Sequence, residues 1–199
     1  MRGRRTLASL LTAGTLALLG CAGKPIPEPP AAPPTDLAGL RRAAGLPECP
    51  DTDAAAAPVP EGLPQTALEC LGGGTKVNLA GLPRHKMVIN LWAQWCGPCR
   101  EESPYLAEAK SRLEGKVQFF GINYTDPRED LAIEFAGLVG WTYPHVADPE
   151  RTLRAALGVT GLPLTLFVDA EGRVVARHVG VIVSTEELME LVAQHLGES

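Results

Sequence analysis

No run of basic residues follows Arg5 in this 199-residue chain, and a formal charge of −5 gives a phosphate backbone nothing to hold. That excludes nucleic acid as a partner. The histidines, His85, His145, His178 and His195, are scattered and share no ligand spacing. Only one Cys-Xaa-Xaa-Cys pair is present, so a zinc site lacks its second half and no metal is expected. Each histidine reads as a surface or partly packed residue. The uncharged stretch 6–20 is short for a membrane span, which needs about 20 apolar residues. No internal repeat is visible. What is present is a hydrophobic content of 45%, enough for a real core, in a length that suits one ordinary domain with accessory segments.

Residues 1–20 read as a signal peptide. Arg2, Arg4 and Arg5 form a positive n-region, and the apolar stretch after them ends in Leu18-Leu19-Gly20-Cys21. That tetrapeptide resembles the bacterial lipobox, in which the cysteine receives a diacylglyceryl group before cleavage, so Cys21 is the expected lipidation site. A plain signal peptide or an uncleaved anchor is the competing reading. Arg4-Arg5 with Thr6-Leu7 also resembles a weak twin-arginine signal. Cleavage before Cys21 removes three arginines and no acids, leaving a more acidic chain. Attraction to anionic headgroups then cannot hold it at a membrane, whereas acyl chains can.

Residues 21–64 read as a Pro/Ala-rich linker and N-terminal extension. Lys24-Pro25-Ile26-Pro27-Glu28-Pro29-Pro30 should be an extended spacer, 37–44 a helical turn or two, and 51–64 a second loose stretch. From 65 to 199 the pattern is that of a domain. The apolar run 87–93 suits a central strand covered on both faces. A helix is expected over 97–113, a strand over 117–123, and a helix over 128–139 with Leu131, Phe135 and Leu138 inward. Residues 164–168 and 174–178 flank Asp169-Ala170-Glu171-Gly172 as a hairpin. Ser184 with Glu187 caps a last helix that buries Leu188, Leu191, Val192 and Leu196. Val77-Asn78-Leu79 and Gly81-Leu82 suggest an added N-terminal β-hairpin. This order implies an α/β fold, a mixed central sheet with helices on both faces.

Cys96-Gly97-Pro98-Cys99 falls where a buried strand turns into a helix. A thiol there faces unsatisfied backbone N–H groups and the positive end of the helix dipole, both of which favour thiolate, the nucleophile of disulfide exchange. Pro98 at the helix start costs no hydrogen bond and holds the two sulfurs within reach. Cys99, one turn further in, is the expected resolving thiol. In an oxidising compartment the spare Cys49 and Cys70 should pair as a structural disulfide, since neither has a neighbouring cation or helix start in the sequence to activate it.

Trp95-Cys96-Gly97-Pro98-Cys99-Arg100 resembles the active-site motif of thioredoxins. The flanking 90–96 and Cys99-Arg100-Glu101-Glu102-Ser103-Pro104 are similar to the extracytoplasmic TlpA/ResA branch. The likeness spans about 65–197 and implies the thioredoxin fold. It also implies that Pro163, in Gly161-Leu162-Pro163-Leu164-Thr165, is a cis proline packed on the dithiol. The Leu162 backbone would then pair with a substrate chain, alongside Trp95, Gly97 and Pro98. Pro104 matches the kink proline of the active-site helix. Cytoplasmic thioredoxins carry a buried aspartate where Asn90 stands here; the TlpA/ResA branch carries a glutamate at Glu102. Glu102 is therefore either the proton acceptor for Cys99 or a helix-start residue favoured by the dipole.

The resemblance implies a membrane-anchored, extracytoplasmic thiol–disulfide oxidoreductase, in which Cys96 attacks and Cys99 resolves. Disulfides of exported proteins would be its substrates, apocytochromes during haem attachment among them, and a membrane thiol carrier its electron source. No cofactor beyond the Cys96–Cys99 disulfide is implied, and a monomer is expected. Two rivals are a thiol peroxidase, which needs threonine where Ala93 stands, and a non-catalytic binding lipoprotein, which has no need of both thiols.

Overall fold

A computed structural model describes residues 36–199; the expected signal peptide, the expected lipidation site Cys21 and the linker stretch through residue 35 lie outside the described residues. The elements in chain order are α1 (Leu37–Ala43), β1 (Ala67–Cys70), β2 (Lys76–Asn78), β3 (Met87–Trp92), α2 (Gly97–Arg112), β4 (Gln118–Tyr124), α3 (Glu129–Leu138), β5 (His145–Asp148), α4 (Leu153–Ala156), β6 (Leu164–Val168), β7 (Val174–Val179) and α5 (Thr185–Leu196). They build a seven-stranded sheet of order β2-β1-β5-β4-β3-β6-β7. The β3–β4 and β4–β5 pairs are parallel, and β1–β2, β1–β5, β3–β6 and β6–β7 are antiparallel. The expected mixed sheet with helices on both faces is the fold observed.

β3 lies at the centre and all six of its residues are buried, the consequence of an apolar run between two covered faces. Val88 and Trp92 point into a core shared with Leu106 and Ala109 of α2, Ala132 and Phe135 of α3, and Leu188 and Val192 of α5. Ile89 and Leu91 point the other way, with Ile122, Leu164 and Leu153 of α4. The C-terminal helix starts as its sequence requires. Ser184 Oγ accepts from the Glu187 N–H at 3.1 Å, and the Glu187 carboxylate accepts from the Val183 N–H at 2.7 Å.

Several expectations need correction. The N-terminal hairpin exists but sits earlier. Its arms are β1 and β2, joined through Gly72, Gly73 and Gly74, all at positive φ, while Leu79–Gly81 is a single 3₁₀ turn. In α3 the buried positions are Ala132, Ile133, Phe135 and Ala136, and Leu138 is exposed. In α5, Leu191 is only partly buried. Strand β5 and helix α4 were not anticipated; both are four residues long. His145 is fully buried, not a surface residue. Its ring lies over Gly121 so closely that a Cβ there would stand 1.7 Å from His145 Nδ1. The stretch 36–64, set outside the domain by its Pro/Ala content, packs on it: Leu46, Cys49 and Leu63 are core residues, and α1 lies against α3.

Candidate active site

β3 delivers the chain to α2 with Cys96 as the helix N-cap. Its Sγ accepts from the Cys99 N–H at 3.2 Å, which satisfies one of the donors that every helix start leaves open. Cys96 and Cys99 form a disulfide. Both are buried, Cys99 completely and Cys96 to 4% exposure, while Gly97 and Pro98 stand in solvent. Trp95 is 54% exposed and donates its indole N–H to Thr125 O at 3.3 Å. The Leu162–Pro163 bond is cis, with Pro163 buried and Leu162 half-buried. Leu162 and Trp95 line one 280 Å³ pocket, so the dithiol turn and the cis-proline loop share a surface. Pro104 lies inside α2, as the motif implied.

Glu102 is wholly buried on α2, one turn beyond Cys99. One carboxylate oxygen accepts from the Ile182 N–H at 3.0 Å and the other has no partner. Burial lifts this carboxyl from its ordinary 4.5 to about 7; the Ile182 hydrogen bond opposes the shift and the charge of Glu187 adds to it. The Asn90 side-chain oxygen accepts from the Tyr143 hydroxyl at 3.3 Å. The Tyr143 phenol is pushed well above its ordinary range, first by burial and then by Glu102 nearby. Asn90 Nδ2 and the hydroxyl of Thr165, its partner across β6, are buried without hydrogen bonds. The site thus holds a small unsatisfied polar patch inside an apolar core.

Cys49 and Cys70 are also joined, with Cα atoms 5.8 Å apart. Cys70 does have a neighbouring cation: buried Arg41, from α1, places Nη1 3.4 Å from Cys70 Sγ and 2.9 Å from Gly73 O, and pairs with Glu48. That neighbour arrives from 29 positions upstream, which no local motif reveals. Sequence reasoning also missed Asp126. Its carboxylate accepts from the Gln94 N–H at 2.8 Å and Asn123 Nδ2 at 3.2 Å, and so fixes the loop leading to Cys96. An acid just before Pro127 is a turn signal that could have flagged it. His145 was passed over too. Its Nδ1 accepts from the Trp92 indole at 3.2 Å, and burial lowers its pKa from 6.5 to about 3.

Comparison with known proteins agrees with this geometry. Over 135 residues the chain is 34% identical to the thiol:disulfide interchange protein HelX of Rhodobacter capsulatus, covering 65% of this chain and 74% of that one. It is 37% identical over 97 residues to a DsbE homolog of Paracoccus denitrificans, covering 48% of this chain and only about half, 51%, of the relative. A secreted thiol-disulfide isomerase from Corynebacterium glutamicum superposes with a TM-score of 0.59 at 28% identity, covering 68% of this chain and 86% of that one. The Redoxin family profile matches residues 54–193, which takes in both disulfides except for Cys49. On these grounds the chain belongs to the Redoxin family, as a ResA/DsbE-like protein of thioredoxin fold.

Proposed function

We propose that the protein is an extracytoplasmic thiol–disulfide oxidoreductase that reduces disulfides of exported proteins. The observation that carries this reading is the Cys96–Cys99 disulfide at the N-terminus of α2, with Trp95 of that turn and Leu162 of the cis Leu162–Pro163 bond lining one pocket. In the reduced protein, Cys96 thiolate attacks one sulfur of a substrate disulfide; a mixed disulfide forms and one substrate thiolate leaves. Cys99 then loses its proton and attacks Cys96 Sγ, which releases the second substrate thiolate and closes Cys96–Cys99. Two electrons have passed to the substrate, and a membrane thiol carrier restores the dithiol. Glu102 is the acceptor of the Cys99 proton: a carboxyl held near 7 is matched to that task, and one of its oxygens has no partner. Leu162 offers its backbone to the substrate chain, and Cys49–Cys70 is structural. Cys21 carries the lipid anchor, apocytochromes are a client class, and the protein acts as a monomer without a cofactor.

The test is trapping on the full chain. Cys99→Ser should accumulate mixed disulfides with reduced-and-reoxidised client proteins, released by a reductant, while Cys96→Ser traps none and neither variant reduces insulin. Wild-type protein that leaves insulin oxidised in the presence of excess dithiol would remove the reading in favour of a binding lipoprotein. Peroxide turnover without disulfide reduction would make it a peroxidase.

A further inference from the structure

The pocket between Trp95 and Leu162 has a far wall that the exchange chemistry does not use. Arg151, Arg154 and Tyr124 line that part of it. Neither guanidinium has a carboxylate within 4.0 Å among the described residues, although the chain as a whole is acidic. Asp148, the acid of the same loop, is buried and committed elsewhere. Its oxygens accept from the Thr152 N–H and hydroxyl, both at 2.8 Å, and from the Leu153 N–H at 3.0 Å. Glu150 makes no ion pair with either arginine. Arg151 is held at φ +60, a conformation a long side chain adopts only where its surroundings impose it. Both cations act on the Tyr124 phenol through space. Burial and Asp148 raise that phenol, in that order, and the two arginines oppose them.

We infer that Arg151 and Arg154 form a specificity subsite for an acidic side chain of the client, one lying close in sequence to the cysteine that Cys96 attacks. The inference rests on the oxidoreductase reading and adds to it a class of substrate. A client chain laid along Leu162 with its disulfide over Cys96 passes the mouth of this 280 Å³ pocket, whose size admits a side chain and not a folded domain. A carboxylate entering it meets two planar guanidinium forks that no protein acid neutralises, the arrangement best suited to bidentate pairing. On a molecule of net charge −5, a local cationic spot in the pocket that Trp95, the neighbour of Cys96, also lines orients an acidic client as it approaches.

The experiment uses three cyclic peptides with one Cys-Xaa-Xaa-Cys disulfide each, flanked by glutamates, glutamines or lysines, and the reduced full-chain protein. Second-order rates of peptide reduction should fall in the order Glu, Gln, Lys. The Glu peptide should lead the Gln peptide by about fivefold at low salt, the factor that corresponds to about 1 kcal/mol of ion pairing. In about 0.5 M salt, where the screening length is about 4 Å, the lead should shrink toward one. Arg151→Asn with Arg154→Gln should abolish the Glu-to-Gln ratio, while Arg151→Lys with Arg154→Lys should keep part of it. Asparagine is used at 151 because it tolerates positive φ, and melting curves verify that each variant is folded. Equal rates for Glu and Gln peptides, or a preference that survives removal of both charges, overturn the subsite and leave the oxidoreductase standing. If no peptide is reduced, the Gln peptide included, the oxidoreductase reading falls and the subsite with it.

Discussion

Replacing Glu102 by glutamine should change how stability depends on pH by an amount the structure fixes. The carboxyl titrates near 4.5 in an unfolded chain and at about 7 in the oxidised fold, mainly because it is buried. Below about pH 4.5 both states hold the proton and the group has no effect on the balance. As pH rises from there, the unfolded chain ionises first, so folding loses about 1.4 kcal/mol for each pH unit. The loss ends once the folded carboxyl has also ionised, just above pH 7, and totals about 3 kcal/mol. Glu102→Gln cannot titrate, and its amide oxygen can still accept from the Ile182 N–H. Urea unfolding of the two oxidised proteins, read as the difference in free energy, should favour the variant by about 3 kcal/mol more at pH 8 than at pH 4.5. Taking the difference cancels the titrating groups that do not interact with Glu102. In the reduced variant, alkylation of Cys96 should also lose the pH inflection that Glu102 contributes. A difference curve flat across that range would refute the placement of a neutral carboxyl beside the dithiol and make Glu102 a helix-start residue.

His145 should act in the opposite direction. Its folded pKa of about 3 lies below the ordinary 6.5, so its contribution is intact above pH 6.5 and is lost as pH falls toward 3, by about 4 kcal/mol. His145→Gln keeps an acceptor for Trp92 and should flatten the acid limb of the unfolding curve; an unchanged limb would disprove the buried neutral imidazole. Removing Cys49–Cys70 with a double alanine variant opens a loop spanning 21 positions, which should cost about 3 kcal/mol while insulin reduction persists. Loss of activity without loss of stability would instead make that pair an electron relay.

The parts of the molecule that were legible in advance are those specified by neighbours in sequence. β3 announces itself by a nearly continuous apolar run broken only by Asn90, the dithiol turn by its position between that strand and a helix, and α5 by Ser184 and Glu187. The cis bond at Pro163 was legible only through family likeness, since alone it reads as a turn proline. What was missed depends on contacts between distant segments. β5 spells His145-Val146-Ala147-Asp148, with polar ends that look solvent-facing, and it is buried because β4 and β1 flank it. The inward face expected of α3 held for Phe135 but not for Leu138, which is exposed; the other buried positions are the small or neighbouring Ala132, Ile133 and Ala136, and α1, hidden in an Ala/Pro-rich stretch, packs against this helix. Arg41 on Cys70 and Asp126 on Gln94 belong to the same class: each is a charge whose role is set by a loop closed in three dimensions.

The placement of the tryptophans gives the protein an optical property. Of its three indoles, Trp92 and Trp141 are sealed in the core at 0% and 1% exposure, and Trp95 stands 54% open beside Cys96. A water-borne quencher such as iodide therefore reaches one emitter of the three, and that one sits at the mouth of the pocket where a client chain would lie. Light lost to the quencher reports the docking face; light that survives it reports the interior around His145, whose ring takes the Trp92 hydrogen bond. Binding and loss of packing can be told apart in one cuvette, with no dye attached.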